Sequence, residues 1–158
     1  MVYGAILEEG ERFYTSLDRI FAAIGEAQTR YNWLITNYEC YPQTPETAAL
    51  LSGEFCWLSG GELTSIVRKE DFQWIWGVLS GFEPDIPLED VLKYPLAYAD
   101  GYEGFWENPL SMQNPLASVE IVAWDSSLTL VFSRRREIID SFRKNFPLSE
   151  DLTLYNDR

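Results

Sequence analysis

The clearest pattern of apolar and polar positions lies between residues 118 and 147. Residues 118–124 and 128–132 are rich in β-branched and aromatic side chains, which is typical of strands. The Asp-Ser-Ser segment at 125–127 favours a chain reversal, because such side chains bond nearby backbone groups. Both strands carry apolar residues on both sides, so the pattern predicts a hairpin that is covered on its two faces.

A helix is predicted directly after this hairpin, over residues 134–145. The Ser133 hydroxyl is expected to cap it by accepting a hydrogen bond from an amide of the first turn. Ile138, Ile139, Phe142 and Phe146 follow at helical spacing on one side. Burying such side chains contributes roughly 1.5–3 kcal/mol each, so we expect this helix to pack on the sheet.

The remaining pattern predicts further helices and strands before and after residues 118–147. An apolar stripe over 11–27 indicates a second long helix. Thr44 and Pro45 form a start signal for a short helix to about residue 51, with threonine as the cap. Shorter helices are predicted at 62–69 and 88–92, and strands at 2–7, 31–41, 55–58, 72–79 and 152–155.

These elements predict one domain over residues 1–158 with an α/β (α+β) fold. Its sheet is expected to be mixed or largely antiparallel with five or six strands. The helices at 11–27 and 134–145 are expected to pack on that sheet.

Net charge narrows the choice of partners. The chain has 12 basic and 25 acidic residues, a formal charge of −13 at pH 7. A field of that sign repels nucleic-acid phosphates and anionic membrane surfaces, whereas it attracts basic proteins. The alternative is that the acidity serves solubility alone.

Several kinds of chemistry have no residues to carry them. The chain has no histidine, which removes the commonest general base and the usual catalytic zinc sites. No phosphate loop or dinucleotide fingerprint occurs, so we predict no cofactor and no metal. Cys40 and Cys56 are expected to be free thiols in a reducing compartment, although a disulfide between neighbouring strands stays open. Without a signal peptide or an apolar run of about 20 residues, the protein is expected in the cytoplasm.

The segment over 83–107 is the candidate site. It interleaves acidic residues with aromatic ones, and long loops in compact domains tend to be functional or disordered. Acids steer a basic partner and aromatic rings anchor it; the alternative is that the rings merely cap the core. The candidate contact residues are Glu83, Asp85, Asp100, Tyr102, Glu103, Phe105, Trp106 and Glu107, with Tyr98 as a further anchor.

Two other functions remain open from the sequence. Glu103 and Glu107 could act as acid and base of a glycosidase-like hydrolase, in a cleft lined by Tyr102, Phe105 and Trp106. Converging carboxylates in a concave cleft would favour that reading, whereas a flat acidic face favours a binder. The third hypothesis is a protein without a specific partner surface.

The C-terminal third also carries a resemblance. In its small size, acidity and tryptophan content, the chain resembles the small bacterial immunity proteins of polymorphic toxin systems, or a related family of bacterial domains. The residues that carry the resemblance are Val131-Phe132-Ser133-Arg134, Ile138-Ile139, Phe142, Phe146-Pro147 and Asp151-Leu152. The resemblance implies a non-catalytic protein that binds and neutralises a toxin, often a nuclease with a basic active site. The matched residues are hydrophobic scaffold, so no binding residue is carried over.

Overall fold

The computed structural model describes residues 1–158 as one antiparallel sheet with helices. The sheet order is that of the third, second, fourth, fifth, sixth, first and seventh strands along the chain. All six neighbouring pairs are antiparallel, which confirms the predicted α+β fold and adds a strand to it. The strands are β1 Tyr3–Leu7, β2 Asn32–Cys40, β3 Phe55–Ser59, β4 Trp74–Phe82, β5 Val119–Trp124, β6 Leu128–Ser133 and β7 Glu150–Asp151.

Six α-helices and two 3-10 turns connect these strands, and no helix has both the length and the apolar character needed to cross a lipid bilayer. The 3-10 turns are Ala27–Arg30 and Gly104–Trp106. The helices are α1 Leu17–Ala23, α2 Pro45–Leu50, α3 Gly60–Lys69, α4 Leu88–Val91, α5 Arg136–Asn145 and α6 Leu152–Asn156.

The sheet separates two hydrophobic cores. The larger core lies on the face covered by α1, α3 and α5, and the smaller lies beneath residues 83–117 and α6. In β5, Val119, Ile121 and Ala123 belong to the larger core and Val122 to the smaller, as strand alternation predicts. The expectation that this strand is covered on both faces is therefore confirmed.

The predicted hairpin and the helix after it are both present, but the helix begins two residues later than predicted. Asp125 and Ser126 both have positive φ (52° and 57°), so the reversal is a tight turn with left-handed central residues. The Ser133 hydroxyl accepts the Arg135 amide at 2.9 Å, but α5 begins only at Arg136. Ser133 thus closes a turn before the helix and does not cap it.

At the starts of α2 and α3, carboxylates and hydroxyls bond backbone amides in different ways. Ser59 and Glu62 form a reciprocal capping box at the start of α3. Thr44 occupies the position before α2, yet its side chain makes no capping bond. Instead Glu70, from beyond the end of α3, accepts the amides of Gln43 and Thr44 at 2.7 and 2.9 Å, and these bonds lower its pKa.

One predicted element is shorter than expected and another is wrong. The helix expected over 11–27 is only α1, because Thr15 before it has φ 61° and Gly25 after it has φ 66°, conformations that an α-helix does not contain. The strand expected at 152–155 is α6. The Asp151 side chain accepts the Leu154 amide at 3.1 Å and so starts a helix there.

Both cysteines are free in the structure. Cys56 is buried and Cys40 is half-buried, and neither is in a disulfide. Burial raises the pKa of the Cys40 thiol to about 12, so this thiol stays protonated at neutral pH.

Candidate functional site

Residues 83–117 are fastened onto the sheet by side chains of β2. The Thr36 hydroxyl donates to the Ala97 carbonyl at 2.8 Å, and the Asn37 side-chain oxygen accepts the Ala99 amide at 2.9 Å. Asn37 has a left-handed backbone (φ 49°) at an irregularity in the pairing of β2 with β4. This bulge turns the Asn37 side chain toward the segment that it holds.

Gln113 and Glu120 hold the middle of the same segment. Gln113 bonds both backbone groups of Tyr98, accepting its amide at 3.1 Å and donating to its carbonyl at 2.8 Å. The backbone amide of Gln113 in turn donates to the Glu120 carboxyl at 2.7 Å. Glu120 projects from β5 into the smaller core and is 2% exposed, so sheet and segment are joined by a buried carboxyl.

Burial raises the pKa of Glu120 to about 8, so the side chain carries a proton at neutral pH. The Gln113 amide, the Arg134 charge and the Ser80 hydroxyl act in the opposite direction but do not offset burial. One carboxyl oxygen, Oε2, has no hydrogen-bond partner, which is costly for an ionised carboxylate. A neutral Glu120 therefore fits its surroundings.

Phe105 is part of the core and not of the surface. It is 3% exposed, and its ring centroid lies 5.8 Å from that of Phe132 in β6. The Tyr102 and Trp106 rings meet it edge to face, at 4.7 and 6.3 Å. The prediction of Phe105 as a contact residue is therefore wrong. Its buried ring instead supports the Tyr102 and Trp106 rings that flank it.

Six partly exposed rings surround this anchor and are called here the aromatic patch. Trp124 contacts Trp76 at 5.4 Å and Trp106 at 6.0 Å between ring centroids. Tyr98 contacts Tyr102 at 5.3 Å, and Tyr155 of α6 contacts Trp106 at 6.2 Å. The patch therefore joins the sheet, the long segment and the last helix. It consists of Trp76, Tyr98, Tyr102, Trp106, Trp124 and Tyr155.

The sheet register brings the two strand tryptophans together. Gly77 pairs with Ala123 across β4 and β5, so Trp76 and Trp124 stand side by side on the face of the smaller core. Strand alternation indicates which face each ring takes. It does not indicate that they meet, because the pairing depends on residues more than 40 positions apart.

Carboxylates without a basic partner surround the patch and are called here the acidic rim. All of them are exposed, and none takes part in the ion pairs of the structure. A guanidinium does touch the patch at its far end, where Arg158 lies 4.7 Å above the Tyr155 ring. The acidic rim consists of Glu39, Glu54, Asp100, Glu103 and Glu107.

The surface at the patch is concave. Tyr102, Glu103, Trp106, Glu107 and Trp124 line one depression of about 430 Å³. A neighbouring depression of about 440 Å³ shares Trp106 and Trp124 with it. Nowhere do three or more cysteine, aspartate or glutamate side chains come together as metal ligands would.

The structure brings together only part of the predicted site. Asp100, Tyr102, Glu103, Trp106 and Glu107 lie in the patch and its rim.

Glu83 and Asp85 lie elsewhere. They follow the opposite end of β4 from Trp76, roughly 20 Å away along the strand. Glu83 there faces Arg135 at 4.0 Å, so its charge is already matched within the chain, and Asp85 is exposed in the next turn. Neither residue therefore lies in the patch or its rim, unlike the other acids of the predicted site.

The sequence prediction missed five members of the patch and its rim. The sequence pattern predicts Trp76 and Trp124 only as strand residues, and Tyr155 as part of a terminal strand. Glu39 comes from the end of β2 and Glu54 from the β2–β3 connection, both far in sequence from the other acids. No local signal joins these positions, because the bulge at Asn37 and the sheet register bring them together.

No family model, curated protein or solved structure matches this chain. The geometry and charge of the aromatic patch and its rim are therefore the features from which a function can be inferred.

Proposed function

We propose that this protein is a non-catalytic binding module that docks a basic protein partner on the aromatic patch, in the manner of an immunity protein. The observation that carries the proposal is the patch itself. Six partly exposed rings, most of them in edge-to-face contact, lie inside a rim of exposed carboxylates that no lysine or arginine neutralises.

Each half of that arrangement has a role in binding. Tryptophan and tyrosine supply most of the energy of protein interfaces, because they remove large apolar areas from water and lose little rotamer freedom. Unpaired carboxylates raise the approach rate of a basic partner and reject acidic ones. Phe105 and the Gln113 bonds hold the rings in place before binding, which lowers the entropy lost on association.

The test uses the product of an adjacent gene as the candidate partner. Immunity function predicts that co-expression of this chain protects cells from that product and that the two proteins form a complex. Replacing Trp106→Ala, Glu103→Gln and Glu107→Gln together should weaken the complex by about 100-fold or more, since hot-spot residues cost 2 kcal/mol or more each. Calorimetric titration measures this Kd.

Two further variants make the outcome unambiguous. Glu103→Lys with Glu107→Lys reverses the charge at two exposed positions without removing a ring, and should also abolish tight binding. The matched control is Leu148→Ala with Glu9→Gln and Glu46→Gln, which removes an equal charge and an exposed apolar side chain elsewhere. Equal effects of both triple variants on Kd would refute the patch as the docking surface.

One observation favours a second candidate function. Glu103 and Glu107 line the same concave depression as Tyr102, Trp106 and Trp124, which is the arrangement expected of a glycosidase-like cleft. Against it, both carboxylates are exposed, whereas the acid of such enzymes is kept protonated by apolar burial. Release of nitrophenol from aryl glycosides that disappears in both Glu103→Gln and Glu107→Gln would replace the binding proposal.

A further inference from the structure

A groove of about 410 Å³ lies beside the depressions described above. The aromatic rings that line it are Tyr38, Trp76 and Tyr98, so it is continuous with the aromatic patch through two of its members. It runs between the β2–β3 connection on one side and residues 96–100 on the other, with the bulge of β2 as its base. We call it the aromatic groove.

The walls of the groove are fixed by hydrogen bonds. The Tyr38 hydroxyl donates to the Gly53 carbonyl at 2.6 Å, which holds the ring against the β2–β3 connection. The opposite wall is held by the bond from the Ala99 amide to Asn37 and by the two bonds from Gln113 to Tyr98. The Tyr98 ring, by contrast, stays 45% exposed at the mouth.

The charge inside the groove has one sign. Glu39, Glu54 and Asp100 reach it from three separate segments, and none of them is in an ion pair. No lysine or arginine lines the groove. A cation that enters would meet aromatic faces and carboxylates together, and each of these attracts it independently.

We propose that the aromatic groove receives an arginine side chain of the basic partner; this inference rests on the proposed function and names the contact that gives it specificity. A planar guanidinium can stack on a ring while its N–H groups bond two carboxylates, which the compact lysine ammonium cannot do. The protein already holds a guanidinium over a tyrosine ring, at Arg158 and Tyr155, and that guanidinium also pairs with one carboxylate, that of Glu150.

Other occupants fit less well. Phosphate groups and acidic peptides would face three carboxylates at close range. A second copy of this chain carries the same charge of −13, so the two acidic surfaces would repel each other. An apolar side chain would desolvate the carboxylates without pairing them.

The test uses three blocked pentapeptides that differ only at the central residue: acetyl-Gly-Gly-X-Gly-Gly-amide with X as arginine, citrulline or lysine. Amide and indole resonances of the isotope-labelled protein report the binding site. We expect saturable shifts for the Trp76 indole and the 97–100 amides with the arginine peptide. We expect at least five-fold weaker binding of the lysine peptide, and none of the citrulline peptide, which has the shape of arginine without its charge.

Variants at exposed positions separate the groove from the general field. Glu54→Gln and Asp100→Asn should each weaken the arginine peptide at least five-fold, while Glu46→Gln removes an equal charge on α2 and should leave it unchanged. Equal effects of all three variants, or equal affinity for lysine and arginine, would overturn the assignment.

The two proposals can fail separately. In the first case, the triple variant of Glu103, Trp106 and Glu107 no longer binds the protein partner, but Glu54→Gln and Asp100→Asn change the affinity for neither the partner nor the peptide. The groove assignment is then wrong and the binding function stands. If the arginine peptide binds in the groove but no basic protein binds the patch, the proposed function is wrong, and the arginine site is then a property of the isolated chain.

Discussion

At the scale of single residues, Glu120 both holds the long segment in place through a hydrogen bond and binds a proton in the core. It stands in the middle of β5, 2% exposed, and it accepts the amide of Gln113, which in turn fixes the backbone of Tyr98. The position of Tyr98, a ring of the aromatic patch, thus depends on a protonated carboxyl beneath it. Because burial raises the pKa of Glu120 to about 8, folding and proton binding are coupled.

This coupling predicts a pH dependence with a definite sign. The ordinary pKa of glutamate is 4.5, so between pH 4.5 and 8 the folded protein keeps a proton that the unfolded chain has released. The free energy of unfolding should therefore fall as pH rises through that window, by up to about 1.4 kcal/mol per pH unit, and level off above pH 8.

Glu120→Gln removes this slope and keeps an acceptor for Gln113. Urea unfolding followed by tryptophan fluorescence at pH 5 to 9 should show the variant gaining about 2 kcal/mol or more on the wild type over the range. The exposed Glu103→Gln is the control and should retain the wild-type slope. Parallel stability curves for wild type and Glu120→Gln would contradict the coupling.

At the scale of elements, the close approach of α3 to the 3-10 turn Ala27–Arg30 depends on one glycine. A Cβ on Gly60 would lie 2.2 Å from the Gln28 carbonyl oxygen and 2.9 Å from that of Tyr31, and both are backbone atoms. Gly61, the next residue, has open space: its nearest neighbour would be the Ser59 hydroxyl at 4.0 Å. Both glycines lie between Ser59 and Glu62, the two residues of the capping box that begins α3.

These neighbours form a matched pair of substitutions. Gly60→Ala should destabilise the protein by about 2–3 kcal/mol, because the backbone of the 3-10 turn has to move. Gly61→Ala should be neutral or stabilising by up to about 1 kcal/mol, because it lowers the entropy of the unfolded chain without a clash. Thermal unfolding measures both changes, and equal destabilisation by the two would show that the contact at Gly60 is unimportant.

At the scale of the whole molecule, the net charge and the unpaired rim act together. A charge of −13 produces a field that extends about 10 Å at 0.1 M salt and about 3 Å at 1 M. The field steers a basic partner toward the protein, while the aromatic rings hold it once it has docked.

Association and dissociation should therefore respond differently to salt. Raising the salt concentration from 20 mM to 500 mM should slow association with the basic partner by about 10-fold or more. Dissociation should change far less, since it reflects the desolvated ring contacts. Surface-immobilised binding kinetics separates the two rates. An association rate that is independent of salt would mean that the acidity has no part in partner capture.

The sequence by itself determined what depends on neighbouring residues. The hairpin over 118–132, the start of α2 at Pro45 and the two-sided cover of β5 all follow from local alternation and turn chemistry. The unmatched charge and the missing histidine likewise need no coordinates. The aromatic and acidic character of residues 98–107 also identified half of the candidate site.

Only the tertiary structure decided which of these residues meet. Sheet register places Trp76 beside Trp124, packing buries Phe105, and the end of β4 puts Glu83 beside Arg135 instead of at the patch. Such contacts depend on strand pairing and loop docking between residues 20 to 100 positions apart, whereas alternation and capping act within a few. A local pattern therefore gives the face that a side chain takes, and the fold supplies its neighbours.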